Sequence, residues 1–120
     1  MKSTDHPRPP LRSDTLQDRF EALRAAYYVR LTSDRSRLMA LRMSMERAPP
    51  LDSSLYEEVQ RVAHGMAGAA AVFEATQVAF VARRLEEIAL AASRAPGSEA
   101  DAAVLGALDA LVDLLLTVSA

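Results

Sequence analysis

Apolar residues recur at three- and four-residue spacing through most of the chain, the period of a helix with one buried face. Leu16, Phe20, Leu23, Tyr27 and Leu31 carry the pattern first, and Leu38, Leu41 and Met45 continue it. Ser13 stands as an N-cap with Gln17 near the capping-box position, while Thr32, Ser33 and Asp34 predict a bend or break because their side chains compete for backbone hydrogen bonds. Pro49 and Pro50 end the segment. A second helix is predicted from Asp52 or Ser53 to about Phe73, with Glu57 and Glu58 in its favourable N-terminal region. After a short joint at Glu74, Ala75 and Thr76, the positions Val78, Val81, Leu85, Ile88 and Ala92 mark a third helix, stopped by Ala95, Pro96 and Gly97. Ser98 with Asp101 resembles a capping box, and Val104, Leu108, Leu111, Leu115 and Val118 carry a fourth helix.

Short connections between helices of this length favour antiparallel neighbours, so the pattern predicts an all-α, up-down four-helix bundle. Composition agrees, since 23 Ala and 16 Leu dominate while β-branched and aromatic residues are too few for a sheet. Residues 1–13, with Pro7, Pro9 and Pro10 and little apolar surface, are expected to form a disordered tail, and residues 14–120 a single domain. A chain of 120 residues is long enough to bury a core without disulfides or metal.

Other classes fall away on composition. The absence of Cys removes thiolate chemistry and Cys-based zinc sites, and a net charge of −2 argues against a nucleic-acid footprint. The sequence has neither a membrane-length apolar run nor a signal-peptide core in Met1 to Asp5, so the expected location is the cytoplasm, with no membrane partner.

The candidate chemistry lies on the second helix. With side chains projected at about 100° per residue, Leu55, Val59, Val62, Met66, Ala70 and Phe73 share one face, and His64 falls about 160° from Met66 on the opposite side. Around His64 lie Gln60, Arg61, Gly65, Ala67, Gly68 and Ala71, a low platform where an exposed helix normally carries Lys and Glu. Two interior glycines, each costing about 0.5 to 1 kcal/mol against Ala, call for a compensating reason. Close helix packing is the ordinary one, and Gly65, on a flank, suits it. Gly68 points away from the core, where its missing side chain gives clearance for another surface to approach the imidazole. Imidazole forms covalent intermediates as a nucleophile and needs no pocket of its own when a partner brings the remaining groups.

The segment Ala63-His64-Gly65-Met66-Ala67-Gly68-Ala69-Ala70, followed by Phe73 and by Leu85-Glu86-Glu87 on the next helix, resembles the histidine phosphotransfer (HPt) family of two-component phosphorelays. The resemblance implies that His64 is the phosphoacceptor, Gly68 the clearance residue and Met66 the core-facing position normally held by Leu. It further implies receiver domains of response regulators and hybrid histidine kinases as partners, which supply the aspartyl phosphate and the Mg²⁺, so that this chain binds no cofactor and is a carrier rather than an enzyme. The chain departs from the family pattern twice. Ala67 replaces a frequent Lys, which leaves Arg61, one turn before His64, as the candidate cation. Glu74 replaces the Gly that usually closes this helix.

Gln60 is within one turn of the imidazole and is a candidate hydrogen-bond partner for the ring or the phosphoryl group. Phe80, about 140° from the core direction of the third helix, is a candidate for partner docking or for covering the Glu74 joint. No second His or close carboxylate on the helix completes a metal site, and no Ser-Asp pattern supports a triad. The rival reading is a helical adaptor that binds a receiver domain or a partner helix without being phosphorylated. The expected state is a monomer, with Phe80 and Leu114 to Leu116 as the places where self-association would arise.

Overall fold

The computed structural model describes residues 12–47, 53–73 and 75–118, with side chains described over 15–47, 54–73 and 75–117. Four helices follow one another: α1 (Arg12–Arg47), α2 (Ser53–Val72), α3 (Thr76–Arg94) and α4 (Ser98–Val118). Helix α1 packs on α2 and α4, and α3 packs on the same two helices from the other side. The four elements thus close an antiparallel bundle in chain order, as the short connections require. Residues 1–11 of the expected tail, the stop at Pro49 and Pro50 and the candidate helix start at Asp52 lie outside the described residues, whereas Arg12 and Ser13, expected in the tail, are already helical.

Helix α1 is one continuous element of 36 residues that begins at Arg12, ahead of the expected cap at Ser13. The predicted interruption at Thr32, Ser33 and Asp34 does not occur. Thr32 Oγ1 donates to the Tyr28 carbonyl at 3.2 Å, and Asp34 pairs with Arg30 one turn earlier at 3.6 Å, so these polar side chains are satisfied along the helix itself. The length has a further effect. At about 1.5 Å per residue α1 runs to about 54 Å against about 30 Å for its neighbours. Its first turns therefore pass the end of α2, where the Phe20 and Phe73 rings meet at 5.7 Å. The periodic positions Leu16, Phe20 and Leu23 consequently stay exposed, and the core begins at Tyr27, whose ring stacks on Phe73 at 4.7 Å.

Tyr27, Leu31, Leu38 and Met45 of α1 meet Val59, Met66 and Ala70 of α2, Val78, Leu85 and Ala92 of α3, and Val104, Leu108, Leu111 and Leu115 of α4 in one core. The buried face of α2 is wider than the sequence predicts. Tyr56, Ala63 and Ala67 join it, while Leu55 and Phe73 at its other margin are half-buried. Small residues at Ala63 and Ala67 on α2 and at Ala82 and Ala89 on α3 are buried, and this lets the two helices lie close along their length. Arg37 pairs with Glu58 between α1 and α2, and Arg42 with Asp109 between α1 and α4. Such surface pairs add little stability and lie where the antiparallel register, set by the core, brings the helices together.

At the joints the backbone satisfies itself. The Ala75 amide donates to the Ala70 carbonyl at 2.9 Å, a bond that closes α2 across the Glu74 position, itself outside the described residues. Helix α4 opens with the Asp101 amide bonded to the Gly97 carbonyl at 2.9 Å. Contrary to the expected capping box, the Asp101 carboxylate accepts the Tyr56 hydroxyl and ties α2 to α4. Burial, aided by that carboxylate, pushes the Tyr56 phenol up to about 12. The unfolded phenol ionises near pH 10, so the unfolded chain loses its proton first. The contribution of Tyr56 to stability should be full below pH 10 and fall as pH rises from there towards about 12. Chemical denaturation from pH 9 to 12 should show this decline in the wild type, with Tyr56→Phe removing most of it and leaving the weaker contribution of buried Tyr27.

Candidate phosphoacceptor site on helix 2

His64 lies in the middle of α2 with its side chain 73% exposed. Its Nδ1 lies 2.6 Å from Glu86 Oε2, contributed by α3. Gln60, one turn earlier on α2, donates through Nε2 to the same oxygen at 3.3 Å. The Glu86 carboxylate is mostly covered, at 20% exposure, so an oriented anion stands behind a ring that faces solvent. An ionised carboxylate can only accept, so the contact suits the tautomer with its proton on Nδ1, in which Nε2 is the ring nitrogen with an available lone pair.

The flanks of His64 differ. Toward α3, Ala67 is buried at 4% exposure, so this predicted platform residue belongs to the core seam between α2 and α3. A cation in place of Ala67 would have to leave that seam to reach the ring. Toward α1, Gly65 is half-buried, while Gly68 and Ala71 are exposed along the line of His64. A Cβ added at Gly68 would meet nothing within 4 Å, so no contact inside the described chain requires a glycine there.

Arg61 Nη1 donates to Glu58 Oε1 at 2.8 Å, and the other Glu58 oxygen takes Arg37. The candidate cation chosen from sequence is thus engaged by a carboxylate one turn before it. Gln60 reaches the ring through Glu86 rather than directly. Phe80 is exposed on α3, but six residues from Glu86 it lies about 9 Å along the axis and about 120° round it. It lines a shallow apolar groove with Thr76, Gln77, Val81 and Leu114 and is not brought to His64.

Sequence reasoning located His64, Gln60, Gly65, Gly68 and Ala71 on one surface but assigned no task to Glu86, although the Leu85-Glu86 pair marked the place. It also gave no role to Arg30. A guanidinium nitrogen of this α1 residue would lie 3.0 Å from a Cβ built at Gly65. Among the described residues no group of three or more His, Cys, Asp or Glu side chains is placed to hold a metal ion. No helix among them is long and apolar enough to cross a membrane.

An exposed histidine thus stands at mid-helix in a four-helix bundle, backed by a carboxylate and bordered by a bare glycine. The family model described as Hpt domain matches residues 11–118, nearly the whole chain, and the protein belongs to that family. Comparison with curated proteins and with solved structures found no match. Members of the family serve histidine phosphotransfer in phosphorelays, as phosphocarriers rather than enzymes in their own right, and work with receiver domains.

Proposed function

We propose that this chain accepts a phosphoryl group on Nε2 of His64 from the aspartyl phosphate of one receiver domain and delivers it to the aspartate of another. The observation that carries the reading is the exposed His64 ring held through Nδ1 by Glu86 at 2.6 Å. In the forward step the Nε2 lone pair forms an N–P bond while the O–P bond to the receiver carboxylate breaks, and the carboxylate departs with the electron pair. The proton on Nδ1 stays in place. The ring becomes an imidazolium whose positive charge faces the Glu86 carboxylate, and delivery runs the same bonds in reverse. Mg²⁺ held by the receiver supplies charge stabilisation at the phosphoryl oxygens, and the present chain supplies the in-line nitrogen.

The platform at Gly68 and Ala71 lets a receiver surface approach the ring. The test is transfer from a panel of phosphorylated receiver domains to the wild-type chain, in which acid-labile, base-stable label is expected from the cognate member. If a complete cognate panel leaves the chain unlabelled while one receiver still binds it, the adaptor reading replaces this one.

Glu86→Gln provides a sharper check on the ring. Glutamine retains the shape and an acceptor oxygen but removes the charge that meets the imidazolium. Hydrogen bonds to charged groups contribute about 1.5 to 3 kcal/mol, so the transfer rate should drop about 10- to 100-fold. Thermal melting should change little, and the contrast between rate and melting separates a positioning role from a structural one.

A further inference from the structure

We propose that Arg30, projecting from α1 over Gly65, is the cation that meets the phosphoryl oxygens on His64. This inference rests on the carrier reading above and extends its site to a second helix. The antiparallel register makes the argument. Arg37 of α1 stands opposite Glu58 of α2 and pairs with it. Seven residues along each helix, two turns on, the same register brings Arg30 opposite residue 65, where α2 has a glycine instead of a carboxylate. The guanidinium Nη2 of Arg30 lies 3.0 Å from where a Gly65 Cβ would be, so a side chain at that position would push the flexible guanidinium end aside by a few tenths of an ångström. Gly65 is therefore the seat of an arginine, and the arginine sits beside the residue that follows His64.

The remaining contacts of Arg30 suit that task. Its ion pair with Asp34 is made through Nε at 3.6 Å, which anchors the side chain from behind while the Nη edge extends over α2. The side chain is 57% exposed, so its terminal nitrogens can swing to an incoming group without leaving a buried position. A guanidinium edge matches two phosphoryl oxygens in a way that a single ammonium does not. Arg37 and Arg61, two other guanidiniums along this flank, both bond to Glu58. With Ala67 in the core seam and Arg61 of α2 engaged by Glu58, the cation over Gly65 comes across from α1.

The test uses the full chain and potassium phosphoramidate, a small donor that needs no receiver docking. Its P–N bond breaks, ammonia leaves and the N–P bond to His64 forms. The initial labelling rate and the ³¹P titration midpoint of the phosphorylated chain would be compared in wild type, Arg30→Ala, Arg30→Lys, Gly65→Ala and the Arg30→Ala/Gly65→Ala double variant. Arg30→Ala should slow labelling about tenfold and raise the titration midpoint by about one pH unit, because a neighbouring cation favours the dianionic phosphoryl form. Arg30→Lys should restore part of both effects. Gly65→Ala should reproduce part of the Arg30→Ala effect while raising the melting temperature, and should add nothing in the double variant. Wild-type rates and midpoints in both single variants would overturn the role of Arg30 while leaving His64 as the acceptor. Absence of label on the wild type, from phosphoramidate and from every receiver, would remove the carrier reading itself and this inference with it.

Discussion

His64→Gln is expected to reduce receiver-dependent labelling to background while leaving the fold and receiver docking intact. The nitrogen that forms the N–P bond is lost, and a carboxamide is no substitute nucleophile at neutral pH. The amide retains a donor able to face Glu86, so the mostly covered carboxylate is not left without a partner. The exposed position implies a stability change within about 0.5 kcal/mol. Label quantification beside a thermal melt and a receiver-binding titration checks all three claims. An adaptor would give a different result, since signalling through docking alone should survive the substitution.

Gly68→Gln should separate docking from chemistry. A Cβ there meets nothing within 4 Å, and replacing a mid-helix glycine improves helix propensity, so the variant should be more stable by about 0.5 to 1 kcal/mol. The new side chain would nevertheless project one turn from His64, into the space a receiver must enter. Misfit in a packed contact costs about 1 to 3 kcal/mol, so receiver transfer should fall roughly 10- to 100-fold. Labelling by phosphoramidate should remain near wild type because so small a donor needs no such clearance. Equal receiver transfer in the variant and wild type would remove Gly68 from the docking surface.

Much of this was legible in the chain because helical periodicity is a local property. Val59, Met66 and Ala70 on α2 and Leu108, Leu111 and Leu115 on α4 are buried as their spacing predicts. The same wheel turned His64 outward. What the wheel cannot contain is the position of a second helix. Ala67 reads as a surface residue on α2 alone and becomes core once α3 packs along that flank. Leu16, Phe20 and Leu23 read as core and are exposed because α1 outruns its neighbours. Asp101 fits a cap by spacing, yet its carboxylate serves Tyr56, 45 residues away. Glu86 and Arg30 depend on register between helices, and no spacing within one segment reports that.

The seam of small residues between α2 and α3 gives the proposed acceptor nitrogen a mechanical sensitivity. The imidazole is on one helix and the carboxylate that steadies it is on the other, so the gauge between the two axes is set by methyl groups at Ala63, Ala67, Ala82 and Ala89. Interaxial distance follows the bulk of the side chains at the contact. One larger residue in that seam would carry Glu86 away from the ring without altering any atom of the exposed surface. On the carrier reading, a core exchange that a stability screen tolerates would pass as silent and still detune transfer, so the hidden methyl groups would belong to the working parts as much as the histidine does.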